Sequence, residues 1–337
     1  MIDLKKRSYA KEVRPENDGL RGVFAGWVKD IRDLGSLEFL VIEDVSGDAQ
    51  VTFFKKQLPD EVLERLEKLK KQYVIAVEGV VKKSEKAKRG VEIIAENLEI
   101  LSEAKHPLPL DPTGRVKADL DTRLKARTLD LRRKENRAIF RIQHILLQGM
   151  REELCKKGFI EVFTPKLIST ATEGGAQLFQ VDYFGRKAFL AQSPQLYKER
   201  LTSAFEKVFE VGVYFRAEEF HTRRHLCEFV SVDVEQAFAD WRSVMDILED
   251  VVIAGISAVR DKCKSELETL GVELKVPRKP FPRYTYDEIF DELKSEGAEV
   301  EWGEDFPTPA LRILEKLHPG FYFIEKWPRS VKPFYIK

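Results

Sequence analysis

The chain has 337 residues, of which 43% are hydrophobic, so it is long enough for two folded domains and too apolar for a disordered protein. Lys and Arg together number 57, as do Asp and Glu, so the net charge indicates neither a nucleic-acid nor a membrane partner. The three cysteines are far apart and no apolar run is long enough to span a bilayer. We therefore expect a cytoplasmic protein without a zinc centre, a disulfide framework or a membrane partner.

Residues 20–101 predict a small β-barrel. Alternating apolar segments such as LRGVFAGWVKDIRD and YVIAVEGVVKK are separated by turn signals, and DEVLERLEKLKK (60–71) predicts one amphipathic helix among them. Strands at this spacing, with a helix before the fourth, favour a five-stranded barrel of the OB type over residues 1–103. An SH3-like barrel is the alternative.

Residues 104–133 are predicted to be a linker or hinge. HPLPLDPTG (106–114) is rich in proline, and residues 115–137 contain nine basic and four acidic side chains. Such a charge run is either a solvated surface or a contact for a phosphate backbone.

Residues 134–337 predict an α+β domain with an antiparallel sheet flanked by helices. Helical periodicity runs from Lys134 to Lys157 and ends at Gly158, and a second long helix is predicted at 241–263. Strands are predicted at FIEVFTP (159–165), KAFLAQ, KVFEVGVYF and EFVSVDVEQAF. The acidic stretch 284–306 predicts a solvated helix and loop.

The stretch FRAEEFHTRRHLCEF (215–229) concentrates opposed charges between two predicted strands. Alternation places Arg216 on the same side of the first strand as Tyr214, Gly212 and Glu210. On the returning strand it places Phe229 on one side with Ser231, Asp233 and Glu235. Valines 230, 232 and 234 are then expected to face the core. The hairpin is either a salt-bridged surface or an anion site, and surface ion pairs stabilise too little to explain it.

Two further segments contain candidate binding residues. In AFLAQSPQLYKERL (188–201), Ser193 and Pro194 predict a helix start, with Gln195 and Lys198 on one face near its positive end. Such a place can hold a small carboxylate, although an ordinary capped helix explains it equally. In STATEGGAQLF (169–179), Glu173 precedes two glycines in what could equally be a loop without a binding role.

Taken together, these segments resemble the class II aminoacyl-tRNA synthetases. FRAEE and the following R, RHL, EF and SVDVE resemble motif 2, and GFIEVFTPKLI resembles motif 1. TEGGAQLF, QSPQLYKE and WPRSVKPFY are most similar to the aspartyl-tRNA synthetases of archaea and eukaryotes, whose OB barrel lies at the N-terminus. The resemblance covers nearly the whole chain.

The resemblance implies an ATP site on the hairpin. Arg216 would bind the α-phosphate and the substrate carboxylate, while Arg224 and His225 would contact the outer phosphates. Glu218 would bind the adenine amino group and Phe229 would stack on the ring. The segments 216–218 and 224–226 would contribute further contacts, through residues that include Ala217 and Leu226.

The resemblance also implies an aspartate site. Lys198 would pair with the β-carboxylate, Asp233 would orient that lysine, and Glu173 would bind the α-amino group. A point cation prefers a carboxylate to a carboxamide, so Lys198 favours aspartate over asparagine. The implied aspartate-binding set is Glu173, Gln195, Leu196, Tyr197, Lys198, Arg216 and Asp233.

In the barrel, the resemblance implies an anticodon-binding face. Phe39 would stack on an unpaired base and Gln50 would bind another, with Arg32 nearby. Without the resemblance, Phe39 would be assigned to the barrel core. Pro165 corresponds to the motif 1 proline at the dimer interface, which implies a homodimer.

The family's motif 3 would follow KPFYIK, where the sequence ends. The acidic residues expected to hold Mg²⁺ would lie there too, so we expect no metal ligand within residues 1–337. A shortened form of a longer enzyme is favoured over a paralogue that cannot react, because motif 2 and the amino-acid pocket are intact. The expected activity is ATP-dependent formation of aspartyl-adenylate from L-aspartate and transfer to tRNA(Asp). The alternatives are an asparaginyl or non-discriminating ligase and a non-catalytic tRNA-binding protein.

Overall fold

The structure, a computed structural model, describes residues 1–170, 178–217 and 226–332. The chain divides into two compact units, Met1–Arg133 and Lys134–Lys337. The first unit therefore includes the segment 104–133, which the sequence predicts to be a linker. Within the described ranges, no helix combines the length and the apolar character that crossing a membrane requires.

The first unit is built on a closed barrel, as predicted. Within residues 21–102, all of which are described, the strands pair in the order β2-β3-β4-β6-β5, and β5 pairs again with β2. A helix precedes the fourth barrel strand, and inward-facing apolar side chains such as Leu40, Val51 and Ile75 fill the interior. The elements are β1 (Arg7–Ser8), β2 (Arg21–Asp33), β3 (Leu37–Asp44), β4 (Gly47–Phe54), α1 (Asp60–Glu67), β5 (Val74–Lys83) and β6 (Val91–Ser102).

The basic segment that follows the barrel is partly folded through its own charges. It forms α2 (Leu120–Lys125) and α3 (Arg127–Asp130). Asp130 is completely buried and accepts hydrogen bonds at 2.7 Å from both Arg123 and Arg127. Arg132 lies 4.4 Å from the ring centroid of Trp27 in the barrel. The charge run is therefore more than a solvated surface, because several of its arginines hold the segment together.

The second unit centres on a hairpin packed against two long helices. β11 and β12 are antiparallel, and β7 pairs in parallel with β11. Its elements are α4 (Lys134–Lys156), β7 (Ile160–Glu161), β8 (Leu167–Ile168), β9 (Gln180–Tyr183), β10 (Arg186–Leu190), α5 (Gln195–Phe205), β11 (Lys207–Phe215), β12 (Glu228–Gln236), α6 (Trp241–Lys262), α7 (Lys264–Leu270), β13 (Arg283–Thr285), α8 (Tyr286–Ser295), α9 (Thr308–Leu317) and β14 (Phe323–Glu325).

The predicted strand at 159–165 is wrong in extent. Only Ile160–Glu161 and, further on, Leu167–Ile168 are strands, and the chain between them is irregular. The physical reason is that Glu210 replaces a neighbouring strand there. Its carboxylate accepts a hydrogen bond from the backbone N–H of Thr164 at 3.1 Å.

The valine face of the hairpin packs on the helices, as alternation predicts. Val232 and Val234 contact a buried cluster that includes Leu154 of α4 and Val251 of α6. Val230 lies on the same face but is exposed, so that part of the prediction is wrong. The two helices approach closely at Gly149, where a Cβ atom would lie 2.8 Å from the Cβ of Ala258.

The acidic stretch near the C-terminus has a core of its own, which the expectation of a solvated helix and loop missed. Tyr286 is completely buried and stacks on Phe306 with ring centroids 4.9 Å apart. A capping box starts α8, since Glu288 accepts from the backbone N–H of Thr285 at 2.7 Å and donates its own N–H to the threonine hydroxyl. Aromatic side chains, spaced irregularly in the sequence, supply this core.

Candidate functional site

The hairpin aligns the polar residues of its two strands on one face. In the register of β11 and β12, Glu210 is paired with Asp233 and Tyr214 with Phe229. Because side chains alternate along a strand, these four lie on the side opposite the valines. Phe229 and Asp233 are four residues apart, or about 13 Å at a rise of about 3.3 Å per residue.

Arg216 lies where β11 ends and is positioned by the returning strand. Its backbone N–H donates to the carbonyl of Cys227 at 3.0 Å, and its guanidinium lies 5.3 Å from the ring centroid of Phe229. The aromatic ring thus supports the cation from one side. Ala217 beside it is half-buried, and Leu226 is exposed.

Four predicted site residues lie outside the described ranges. They are Glu173, Glu218, Arg224 and His225. Their assignments stay predictions.

The helix that contains Gln195 and Lys198 begins one residue later than predicted. Pro194 is the N-cap, and Ser193 before it accepts a hydrogen bond at 3.2 Å from the backbone N–H of Gln195, the first residue of the helix. The side chain of Gln195 donates to Glu199 at 2.7 Å, one turn along α5. Gln195, Leu196 and Tyr197 are half-buried, whereas Lys198 is buried.

The ammonium of Lys198 lies among acceptors from β12. Its Nζ is 3.4 Å from Oδ1 of Asp233, 3.4 Å from the carbonyl oxygen of Val234 and 3.5 Å from Oε2 of Glu235. Lys198 is only 9% exposed, so this cation is held by protein atoms more than by water. The structure thus brings Lys198 and Asp233 together.

Sequence reasoning gave Glu235 no role in this pocket. Burial raises the pKa of its carboxyl group, Lys198 opposes that shift, and the nearby Glu199 and Asp233 add to it. Its position two residues after Asp233, on the same strand face, is the signal that could have found it. The pocket therefore holds more carboxylates than cations within the described residues.

Two groups of residues adjoin the same buried cluster. We call Lys198, Asp233 and Glu235 the Lys198 pocket, and Arg216 on the Phe229 ring the Arg216 platform. Tyr197 from α5 and Phe229 from β12 both pack against the buried cluster of Ile168, Ala191 and Tyr214. The two cations are therefore attached to opposite ends of one packed surface.

A network of charged and polar side chains lies beside that buried cluster, and the sequence analysis missed it. Lys166 donates to Glu210 at 2.6 Å and to the hydroxyl of Tyr214 at 2.7 Å. Burial would raise the pKa of Glu210, but hydrogen bonds from Lys166 and Thr164 outweigh it and lower that pKa. Burial also raises the pKa of Tyr214 well above its usual value. At neutral pH the network therefore holds a carboxylate and a protonated phenol.

The barrel presents Phe39 on its outer surface. Phe39 is paired with Arg32 on β2 and with Thr52 on β4, whereas its neighbour Leu40 points into the core. The barrel-core alternative for Phe39 is therefore wrong. Gln50 shares the outer face and donates to Glu92 at 2.9 Å.

Pro165 is exposed in a segment that also contains buried residues. Thr164 and Ile168 are buried, while Phe163 is 82% exposed and Leu167 is also exposed. The segment thus presents apolar side chains around the proline to the outside of this unit.

Across residues 1–170, 178–217 and 226–332, no group of three or more His, Cys, Asp or Glu side chains is arranged to hold a metal ion.

Comparison with protein families gives two matches. The family described as tRNA synthetases class II (D, K and N) matches residues 119–337. The OB-fold nucleic acid binding domain matches residues 23–101.

Individual relatives match almost the whole chain. A protein of Methanopyrus kandleri named aspartate–tRNA(Asp/Asn) ligase is 51% identical over 334 residues, covering 98% of this chain and 78% of the relative. A protein of Pyrococcus abyssi named aspartate–tRNA(Asp) ligase is 48% identical, covering 99% of this chain and 78% of the relative. The solved structure of asparaginyl-tRNA synthetase from Pyrococcus horikoshii with asparaginyl-adenylate superimposes with a TM-score of 0.90 at 36% identity, covering 100% of this chain and 77% of that one.

Proposed function

Because the chain belongs to the class II tRNA synthetases of the D, K and N group, we propose that it is an aspartate–tRNA ligase. It activates L-aspartate with ATP and transfers the aspartyl group to tRNA, as the names of relatives about half identical over 98–99% of the chain indicate. The observation that carries the choice of amino acid is the ammonium of Lys198, buried beside Asp233 on the strand that also bears Phe229.

The pocket chemistry favours aspartate over asparagine. A carboxylate offers the Lys198 ammonium a negatively charged acceptor, whereas a carboxamide offers only a neutral oxygen. The carboxamide also has an NH₂ donor, and the ammonium cannot accept a hydrogen bond from it. The fold likeness to an asparaginyl-tRNA synthetase makes asparagine the second candidate. At 36% identity that likeness is weaker in sequence than the likeness to the aspartate ligases.

In the proposed first step, a carboxylate oxygen of aspartate attacks the α-phosphorus of ATP. A new P–O bond forms, the bond from phosphorus to the bridging oxygen breaks, and pyrophosphate leaves. Arg216, supported by Phe229, stabilises the negative charge that develops on the phosphoryl oxygens. Adenine stacks on the Phe229 ring.

In the second step, a terminal hydroxyl of tRNA attacks the acyl carbon and loses its proton. The bond from that carbon to the phosphate oxygen breaks, and AMP leaves. No side chain has to act as a nucleophile, because positioning and charge stabilisation supply the acceleration. The family implies Mg²⁺ as a companion of ATP, and no step here is routed through it.

On the barrel, Phe39, Arg32 and Gln50 form the proposed anticodon-binding face. The aromatic ring supplies stacking, the guanidinium supplies charge for a phosphate or base, and the amide supplies hydrogen bonds. Glu92 fixes the side chain of Gln50 before RNA binds.

Replacing Phe39 with alanine is expected to weaken tRNA binding by about 1–3 kcal/mol, roughly 5- to 150-fold in Kd, because one base loses its stacking partner. Adenylate synthesis should be unchanged. Filter binding and pyrophosphate exchange measure the two effects. Tyr9→Ala is the control, since Tyr9 is an exposed aromatic residue near the opposite end of β3. Equal losses for both variants would contradict the assigned face.

Pro165 and its neighbours support assembly as a homodimer. Phe163, Pro165 and Leu167 form an exposed apolar segment next to the hairpin. Burying such a segment against a second copy would remove it from water.

Amino-acid-dependent exchange of pyrophosphate into ATP tests the proposed activity. The full-length natural protein is expected to exchange with aspartate and at least 10-fold less with asparagine, a difference of about 1.4 kcal/mol. Charging of tRNA(Asp) and tRNA(Asn) then distinguishes a specific from a non-discriminating ligase. Exchange with asparagine alone, or with neither amino acid, would contradict the proposal.

A further inference from the structure

We propose that Lys166 and Glu210 are positioning residues that hold the Arg216 platform and the Lys198 pocket in the geometry required for adenylate formation. They act through a four-residue network of Lys166, Glu210, Tyr214 and Thr164. The inference rests on the proposed function and adds residues outside the ATP-binding and aspartate-binding sets given above.

The network is fully paired. The ammonium of Lys166 donates to Oε1 of Glu210 at 2.6 Å, to the Tyr214 hydroxyl at 2.7 Å and to the Thr164 hydroxyl at 3.1 Å. Oε2 of Glu210 accepts from the Thr164 hydroxyl at 2.7 Å and from the Tyr214 hydroxyl at 2.8 Å. A carboxylate satisfied on both oxygens, in a residue only 2% exposed, defines one geometry and resists displacement.

Gly212 leaves space on β11 for the ion pair of Lys166 and Glu210. A Cβ atom at Gly212, between Glu210 and Tyr214 on the same face, would lie 3.0 Å from Oε1 of Glu210 and 3.1 Å from Nζ of Lys166. A side chain there would press directly on the ion pair. The glycine therefore serves the approach of Lys166 to the hairpin.

The network lies on the same face of the hairpin as the residues that contact or support both substrate-binding groups. Glu210 is paired in register with Asp233, which contacts Lys198, and Tyr214 is paired with Phe229, which supports Arg216. A shift of β11 would therefore move both substrate-binding groups. Misplacement by about 1 Å can lower a rate about 100-fold, so holding this register contributes directly to the reaction.

The network also joins two distant parts of the chain. Thr164 and Lys166 flank Pro165 in an irregular segment, while Glu210 and Tyr214 belong to β11. Without the network, that segment would be tied to β11 mainly at Val162, whose N–H donates to the carbonyl of Phe209. The charged pair thus fixes the segment where strand pairing is missing.

Three variants of the full-length protein test the inference: Lys166→Met, Glu210→Gln and the double variant. Lys166→Met is expected to lower kcat for aspartate-dependent pyrophosphate exchange by about 10- to 100-fold, with KM for ATP and aspartate changed less than about threefold. It should also be less stable to denaturant, because the buried carboxylate of Glu210 loses its cation. The double variant removes both charges, so its stability should recover while kcat stays low.

Lys157→Met is the matched control. Lys157 pairs with Asp250 at 2.6 Å and is 26% exposed, while Lys166 pairs with Glu210 at 2.6 Å and is 31% exposed. The Lys157 pair, however, joins the end of α4 to α6. Tyr214→Phe removes one hydroxyl only and should also lower kcat. It serves as the test if the larger changes prevent folding.

Recovery of kcat together with stability in the double variant would overturn the inference, as would a kcat loss no larger than that of Lys157→Met. A wild-type protein without aspartate-dependent exchange would instead contradict the proposed function. The two failures are therefore distinguishable.

Discussion

Arg216→Ala is expected to abolish adenylate formation, with a loss of about 1,000-fold or more in kcat for pyrophosphate exchange. The guanidinium on Phe229 is the described cation best placed to stabilise charge on the α-phosphoryl oxygens. Removing a single preorganised donor costs about 100- to 1,000-fold, and removing a transition-state arginine can cost more. Binding of tRNA should stay within about twofold, because the proposed anticodon-binding face is on the barrel and not on the hairpin.

Arg242→Ala is the matched control for that loss. Arg242 lies 4.1 Å from the ring centroid of Trp241, so the control also removes an arginine from an aromatic ring in the same unit. Its exchange rate should equal that of the wild type. Parallel loss of exchange and tRNA binding in Arg216→Ala, or an equal effect in the control, would contradict the role assigned to Arg216.

Lys198→Met is expected to remove the preference for aspartate. The variant keeps the length of the side chain but leaves Asp233 and Glu235 facing the pocket without their cation. The incoming β-carboxylate then meets negative charge in place of an ammonium, so kcat/KM for aspartate should fall at least 100-fold. Asparagine carries no such charge, and its use should fall far less.

Pyrophosphate exchange with each amino acid measures this change as a ratio. Adding Asp233→Asn to the variant removes one excess carboxylate, which should restore stability to denaturant without restoring the preference for aspartate. An unchanged aspartate-to-asparagine ratio in Lys198→Met would show that another group reads the side chain.

The parts of the fold that follow local periodicity were predictable from the sequence. Alternation in KVFEVGVYF and EFVSVDVEQ placed β11 and β12 and put Asp233 and Phe229 on one face. Helical spacing and Gly158 likewise placed α4 and its end, since Gly158 has φ of +82° and donates to Cys155. These features depend on neighbours within a few residues.

The parts that depend on distant partners were not predictable in the same way. Lys166 meets Glu210 across 44 positions of sequence, so nothing near either residue indicates the pair. The same holds for Asp130, whose burial among arginines makes part of a basic run internal. The strand expected at 159–165 failed because a side chain, not a neighbouring backbone, takes up the hydrogen bond at Thr164.

A crystal structure of the full-length protein with a non-hydrolysable aspartyl-adenylate analogue would show most directly whether Arg216 and Lys198 serve one substrate. The expected complex has the phosphate mimic about 3 Å from the Arg216 guanidinium, adenine on Phe229 and the β-carboxylate about 3 Å from Nζ of Lys198. An analogue bound with its carboxylate away from Lys198, or with Arg216 turned away from the phosphate mimic, would contradict that arrangement.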